Sequence, residues 1–171
     1  RITGLEQRFP VHRIYCVGRN YAEHAREMGG NPDREHPFFF SKPADAVTQA
    51  SEIPYPARTS NLHHEVELVV ALEQGGSGLS PDKTLKCVYG YAVGVDLTRR
   101  DLQAEAKRRG RPWDTAKGFD QSAPVSDITP AEIMGHPASG TISLLVNGEE
   151  RQNGRLENMT WSITEVLAEL S

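Results

Sequence analysis

The apolar residues of this chain fall into short runs that glycine, proline and asparagine interrupt. None approaches the roughly 18–20 residues that a membrane-spanning helix needs, and runs of this length are typical of short strands. The segments that we predict as strands are Ile14–Val17, Phe38–Phe40, Glu65–Leu72, Tyr89–Val95, Ser143–Val146 and Glu149–Gln152. Asn147-Gly148, between the last two, predicts a tight hairpin.

Helices are fewer and shorter. Asn20 can cap a helix over Tyr21–Met28, and Asp101–Arg109 has good helix formers and no breaker. Ser162–Leu170 begins with a serine followed three residues later by Glu165, which is the capping-box pattern. Because these helices do not alternate regularly with the strands, we predict a mixed α+β fold, mostly β, with short peripheral helices.

The bulk properties exclude several classes of protein. With 171 residues and a net charge of −4, the chain is long enough for one domain and has no strongly basic balance. The basic run Lys107–Arg111 is interpreted as a solvated helix end, so no nucleic-acid partner is expected. Cys16 and Cys87 lie in apolar contexts typical of thiols in a reducing compartment. With no signal-peptide pattern, we expect a soluble cytoplasmic protein without membrane contact.

Two carboxylates stand two residues apart where an apolar run begins. In a strand, Glu65 and Glu67 would point to the same face. Like charges held close are unfavourable unless a cation neutralises them, and carboxylate pairs suit hard ions such as Mg²⁺, Mn²⁺ or Ca²⁺. The alternative is a solvated strand face. His63 shares this parity, so a zinc or iron site of His63 with the two carboxylates is a further alternative.

Asp96 follows the apolar segment Tyr89–Val95. An acid at the end of a buried strand needs a partner, because burial without one is unfavourable. Completing an oxygen-rich metal site with the glutamate pair would supply that partner. We therefore take Asp96 as a candidate third ligand.

Other polar residues have spacings that suit catalysis. His24 and Glu27 are three apart on a predicted helix, so the carboxylate could orient the imidazole as a base for water. Lys117, between small and aromatic residues, could stabilise an oxyanion. Arg100 and Gln103 share a helix face and could contact the same substrate. Each of these also has an ordinary interpretation as a surface polar group.

Several short motifs of this chain occur together, and in this order, in one enzyme family. They are Val17-Gly18-Arg19-Asn20-Tyr21 with His24 and Glu27, Phe40–Pro43, Ser60–Leu68, Gly94-Val95-Asp96, Arg100–Gln103 and Ala116–Asp120. With this set, the chain resembles the fumarylacetoacetate hydrolase family from about residue 14 to its last residue. The block Arg19–His24 and the segment Gly110–Asp114 are most similar to its acylpyruvase and fumarylpyruvate hydrolase branch.

The resemblance implies a rolled β-sheet and a homodimer. It also implies that Glu65, Glu67 and Asp96 bind Mg²⁺ or Mn²⁺, with Ca²⁺ as a further option. The family continues past the position of the last helix with more sheet. We therefore expect residues 1–171 to be a single catalytic domain that lacks a C-terminal portion.

Roles for the remaining residues follow from the same resemblance. His24 and Glu27 match the pair that activates water, and Lys117 matches the lysine that stabilises developing negative charge. The positions that match substrate contacts or pocket-lining motifs are Arg19, Lys42, Arg100 and Gln103.

The implied reaction is metal-dependent hydrolysis of the C–C bond of an acylpyruvate such as fumarylpyruvate. The products would be an organic acid and pyruvate, which fits a role in aromatic catabolism, and the partner would be a small anionic keto acid. An alternative use of the same metal site is decarboxylation of oxaloacetate or enol–keto tautomerisation. A non-catalytic metal-binding domain is a third alternative.

Overall fold

The computed structural model describes residues 1–21 and 35–171. Its strands are β1 (Ile14–Gly18), β2 (Phe38–Lys42), β3 (Val47–Thr48), β4 (Leu62–His63), β5 (Val66–Leu72), β6 (Val88–Val95), β7 (Thr98–Arg99), β8 (Ala123–Pro124), β9 (Thr129–Pro130), β10 (Thr141–Val146) and β11 (Glu149–Arg155). Its α-helices are α1 (Pro81–Thr84), α2 (Arg100–Arg108), α3 (Asp114–Lys117), α4 (Ala131–Met134) and α5 (Ile163–Leu170). Single 3₁₀ turns cover Ala44–Ala46, Leu85–Cys87 and Leu156–Asn158. This composition confirms the predicted mixed α+β class, in which strands dominate.

The strands form small sheets. β1 pairs with β2, β3 is parallel to β8, and β4 is antiparallel to β7, while β5, β6 and β9 form a three-stranded sheet in that order. The predicted strands are present, with ends that differ by a few residues at most. The predicted helix over Tyr21–Met28 lies outside the described residues except for Tyr21, which bridges to Met159.

The chain divides into two compact units. The first unit contains Arg1–Cys16, Phe40–Val69 and Ala92–Ile128. Its buried apolar residues come from strands, helices and turns alike, and they are Ile2, Ala46, Ala92, Ala106, Ala116, Phe119, Ala123 and Ile128. Most of them are small, so backbone segments approach closely inside this unit.

Close approach is clearest at the end of α3. Gly118 follows the helix and donates from its backbone N–H to the Asp114 carbonyl at 2.7 Å. A Cβ atom at Gly118 would lie 3.1 Å from both this carbonyl oxygen and Pro43 Cδ. Glycine therefore avoids crowding where the chain leaves α3 directly beside the end of β2.

The second unit contains Val17–Phe39, Val70–Tyr91 and Thr129–Ser171. Its main feature is the hairpin of β10 and β11, whose connecting residues Asn147 and Gly148 have φ of 54° and 82°. Positive φ at both central positions is the signature of a type I′ turn, as the sequence predicts. Within the described residues, no helix has the length and apolar character needed to cross a membrane.

Candidate active site

The first unit contains a buried cluster of charged side chains, which we call the carboxylate–lysine cluster. Its members are Lys42, Glu65, Glu67, Asp96, Arg100 and Lys117, all of which were predicted as site residues. Lys42, Asp96 and Lys117 have 3%, 6% and 2% of their surface exposed. Charges so deeply buried are stable only when each has a partner.

Lys42 is placed by β2. Side chains alternate along a strand, so Phe40 and Lys42 face the same side. The Lys42 ammonium donates to the carbonyls of Leu97, at 3.2 Å, and Lys117, and its Nζ lies 2.8 Å from Asp96 Oδ1. Burial lowers the pKa of Lys42, although the neighbouring Asp96 raises it in part. These contacts connect Lys42 to protein acceptors; its predicted contact with substrate stays a prediction.

Lys117 is placed by the single turn of α3. Its Nζ donates to Glu65 Oε2 at 3.0 Å, to Asp96 Oδ2 at 2.5 Å and to Thr98 Oγ1 at 2.7 Å. The ring of Phe40 lies beside it, 4.8 Å from the ammonium to the ring centroid. The lysine therefore bridges two of the three carboxylates that were predicted as metal ligands.

Glu65 has a second cationic partner. Arg100, the first residue of α2, pairs with Glu65 Oε1 through Nη2 and donates from Nη1 to Gln103 Oε1 at 2.6 Å. Burial would raise the pKa of Glu65, but Lys117 and Arg100 outweigh it and lower this pKa to about 2. The predicted pair Arg100 and Gln103 is thus in mutual contact.

Glu67 differs from Glu65 in having no such cation. Among residues 1–21 and 35–171, no side chain forms an ion pair or a hydrogen bond with its carboxylate. Burial raises the pKa of Glu67 to about 8, with further contributions from the charges of Asp96 and Glu65. Burial likewise raises the pKa of Asp96, which Lys117 and Lys42 oppose. The cluster therefore holds one carboxylate whose charge lacks a direct partner in the described chain.

This donor set fits a hard divalent cation. The buried Asp96 and the partly buried Glu65 and Glu67 supply oxygen ligands of the type that Mg²⁺ and Mn²⁺ prefer, and the raised pKa of Glu67 marks a place where added positive charge is favourable. As they stand, no three His, Cys, Asp or Glu side chains in the described part of the chain are grouped closely enough to hold an ion. The Lys117 ammonium lies between two of the predicted ligands, Glu65 and Asp96.

The remaining predicted residues lie elsewhere. His24 and Glu27 fall outside the described residues. Arg19 belongs to the second unit, where it is exposed, has φ of 57° and places its guanidinium 5.9 Å from the Phe38 ring centroid. His63 lies on β4 and is largely exposed. Partial desolvation of its side chain, followed by the charge of Arg100, lowers its pKa. The role of each as a ligand, base or substrate contact stays a prediction.

Sequence reasoning missed two hydroxyl groups that complete the cluster. Thr98, fully buried, accepts from Lys117 and donates to the Asp96 carbonyl at 3.3 Å, and Ser122 donates to the Lys117 carbonyl at 2.9 Å. A usable signal existed for Thr98, because a residue two positions after Asp96 in extended chain shares its face. No comparable pattern points to Ser122.

Cys16, on β1, also borders the cluster. Burial, and next the charge of Asp96, raises the pKa of its thiol to about 12. The side chain is therefore a neutral thiol at physiological pH. Of the two cysteines whose apolar contexts predict burial, Cys87 is buried and Cys16 is only partly buried.

The geometry can be compared with that of known proteins. Residues 13–171 match the family model described as fumarylacetoacetate (FAA) hydrolase C-terminal. The chain belongs to the fumarylacetoacetate hydrolase family. The family assignment confirms the resemblance that its short motifs indicate.

Three relatives define its position within the family. The oxaloacetate tautomerase of Escherichia coli K12 is 40% identical over 165 residues, which cover 95% of this chain and 75% of that protein. The fumarylpyruvate hydrolase of a Ralstonia species is 41% identical over 147 residues, which cover 84% of this chain and 76% of that protein. A solved structure of the Pseudomonas aeruginosa fumarylpyruvate hydrolase, in complex with Mn²⁺ and pyruvate, is 50% identical with a TM-score of 0.96. It matches 99% of this chain, which covers 75% of that one.

Proposed function

We propose that this chain is a metal-dependent hydrolase that cleaves the C–C bond of an acylpyruvate, with fumarylpyruvate as the first-choice substrate. The products are an organic acid and pyruvate. The observation that carries this proposal is the carboxylate–lysine cluster, in which three carboxylates with little or no solvent exposure and three cations meet. It is supported by the 50% identity to a fumarylpyruvate hydrolase whose structure contains Mn²⁺ and pyruvate.

Glu65, Glu67 and Asp96 would hold the divalent ion. Its chemical contribution when bound would be to polarise the 2-oxo group of the substrate as a Lewis acid. With all three carboxylates ionised, the cations Lys42, Arg100 and Lys117 already balance them. The ion then leaves the site positive, which suits an anionic keto acid.

The protein's own residues would bind and orient the substrate. Arg100 contacts Glu65 through Nη2 and Gln103 through Nη1, so that these polar groups keep one orientation. Lys117 would stabilise the negative charge that develops on the attacked carbonyl. His24, oriented by Glu27, would take the proton from the attacking water.

Pyruvate release from fumarylpyruvate tests this function. We expect release that chelation of divalent ions abolishes and that added Mn²⁺ restores. Glu67→Gln should lose both Mn²⁺ binding and pyruvate release, whereas Glu73→Gln, the same change at an exposed position, should keep them. Full activity of Glu67→Gln would refute the proposed metal site.

A second candidate is the enol–keto tautomerisation, or decarboxylation, of oxaloacetate. It is favoured by the similar identity of an oxaloacetate tautomerase, 40%, and a fumarylpyruvate hydrolase, 41%. Neither of these reactions consumes an attacking water. His24→Ala should therefore collapse hydrolysis while tautomerisation or decarboxylation continues. An enzyme that acts on oxaloacetate and leaves fumarylpyruvate intact would establish this second candidate.

A further inference from the structure

Every donor of the Lys117 ammonium is directed at the protein. An ammonium group has three N–H donors, and here they meet Glu65 Oε2, Asp96 Oδ2 and Thr98 Oγ1. The side chain is also almost completely buried. In this arrangement Lys117 has no donor left for a substrate oxygen, so the role proposed for it requires that it give up at least one partner.

The partners of Lys117 differ in kind from those of Lys42. Two of the three contacts of Lys42 are with backbone carbonyls, which the fold keeps in place. Two of the three contacts of Lys117 are with carboxylates of the predicted ligand set. A divalent ion bound by the same oxygens would repel the ammonium at close range, because both are positive.

We propose that Lys117 and a divalent cation are alternative counter-ions for Glu65 and Asp96, and that Thr98 sets the balance between them. This inference rests on the metal site proposed above. When the ion binds, Lys117 leaves the carboxylates and its ammonium becomes available to the substrate. Metal binding therefore precedes productive substrate binding.

Thr98 is suited to this positioning role by its own hydrogen bonds. Its single hydroxyl proton is directed at the Asp96 carbonyl, so a lone pair of Oγ1 faces the ammonium of Lys117. Thr98 thereby stabilises the lysine in the carboxylate-bound position. Because the side chain is fully buried on β7, valine can replace it with nearly the same shape and the same charge.

Calorimetric titration of metal-free protein with Mn²⁺ alone tests the proposal. Thr98→Val should bind Mn²⁺ about tenfold more tightly than wild type, since a hydrogen bond to a charged group shifts an equilibrium by roughly that factor. No charge is altered, so a general electrostatic effect would leave the affinity unchanged. Ser122→Ala is the matched control, because it removes a buried hydroxyl that contacts the Lys117 backbone carbonyl and not its ammonium.

The outcomes separate this inference from the proposed function. Equal or weaker Mn²⁺ binding by Thr98→Val, with wild type binding normally, overturns the exchange and leaves the metal site standing. Wild type that does not bind Mn²⁺ overturns both. Tighter Mn²⁺ binding by Thr98→Val, together with unchanged Mn²⁺ binding by Ser122→Ala, supports the exchange.

Unfolding of Lys117→Met provides an independent measurement. Without metal, this variant should be much less stable than wild type, because Glu65 and Asp96 lose a shared cation. Saturating Mn²⁺ should narrow the difference, since a ligand that binds the folded variant more tightly stabilises it more. A difference that is the same with and without Mn²⁺ would contradict the exchange.

Discussion

At the scale of single residues, Lys42 shows how a buried charge is stabilised. Its ammonium donates to two backbone carbonyls and forms an ion pair with the Asp96 carboxylate. Removing one partner of a buried pair leaves the other without compensation, which is strongly unfavourable. In the folded protein, Lys42 therefore stabilises the Asp96 carboxylate and the backbone carbonyl of Lys117.

Lys42→Met should lower the free energy of unfolding by up to about 3–5 kcal/mol, because Asp96 loses one of its two cationic partners in the interior and keeps only Lys117. Urea denaturation at neutral pH measures this change. The control is Lys86→Met at an exposed position, which should change stability by less than about 0.5 kcal/mol. Similar losses in the two variants would contradict the assigned contacts.

Asp101, at the start of α2, makes a pH-dependent contribution to the stability of the fold. Hydrogen bonds from Thr59 Oγ1, at 2.6 Å, and from the Ser60 N–H, at 3.1 Å, lower the pKa of its carboxyl. A lowered folded-state pKa stabilises the fold above the unfolded-state value, and this stabilisation is lost as pH falls through the folded-state value.

We therefore expect Asp101→Asn to be less stable than wild type above about pH 4, where the unfolded-state carboxyl is ionised. The difference should shrink as the pH is lowered further. Denaturation curves recorded from pH 6 down to pH 2.5 give the measurement. A difference that is constant across this range would show that the charge of Asp101 has no part in it.

At the scale of elements, α5 begins with a complete capping box. Ser162 Oγ accepts from the Glu165 N–H, and Glu165 Oε2 accepts from the Ser162 N–H at 3.0 Å. These bonds satisfy donors that the first turn of a helix otherwise leaves without partners. Their effect on stability is local, because Ser162 is exposed and Glu165 is only partly buried.

Ser162→Ala should lower the free energy of unfolding by about 1 kcal/mol, the usual contribution of an N-cap side chain. Ser162→Thr keeps the hydroxyl and should retain most of this stability. Chemical denaturation of both variants beside wild type makes the comparison. Equal losses in the two would assign the effect to something other than the cap.

Local patterns account for the elements that could be predicted. The capping box of α5 and the Asn147-Gly148 turn are encoded by residues a few positions apart, and both are present. The two-residue strands β3 and β8 were not predicted, and they pair in parallel although Val47 and its partner Ala123 are far apart in the sequence. Such pairing depends on packing of distant segments, for which two residues give no readable pattern.

The candidate site also has some features that local sequence patterns predict and others that they do not. The spacing of Glu65 and Glu67 indicates a shared face, and the placement of Asp96 after an apolar run indicates a buried acid. The bridge from Lys117 to Glu65 joins residues 52 apart, and that from Lys117 to Asp96 joins residues 21 apart. No local spacing encodes such contacts, so the structure was needed to show that the lysine lies between the carboxylates.

At the scale of the whole molecule, metal binding should raise the stability of the folded protein. A ligand that binds only the folded state raises the free energy of unfolding by about 2.7 kcal/mol at a concentration 100 times its Kd. We expect Mn²⁺ to raise the Tm of wild type and of Glu73→Gln, but not of Glu67→Gln. Scanning calorimetry of the three metal-stripped proteins tests this, and a full shift in Glu67→Gln would contradict the assigned ligand.

The burial of both ammonium groups also determines their chemical reactivity. An acylating reagent must reach the amine nitrogen, and the Nζ atoms of Lys42 and Lys117 lie against carboxylates in the protein interior. Both are also shielded from solvent. Mass spectrometry of metal-free protein treated with acetic anhydride should show acetylation of exposed Lys83 and Lys86 while Lys42 and Lys117 stay unmodified. The cluster thus protects Lys42 and Lys117 of the metal-free protein from electrophilic reagents.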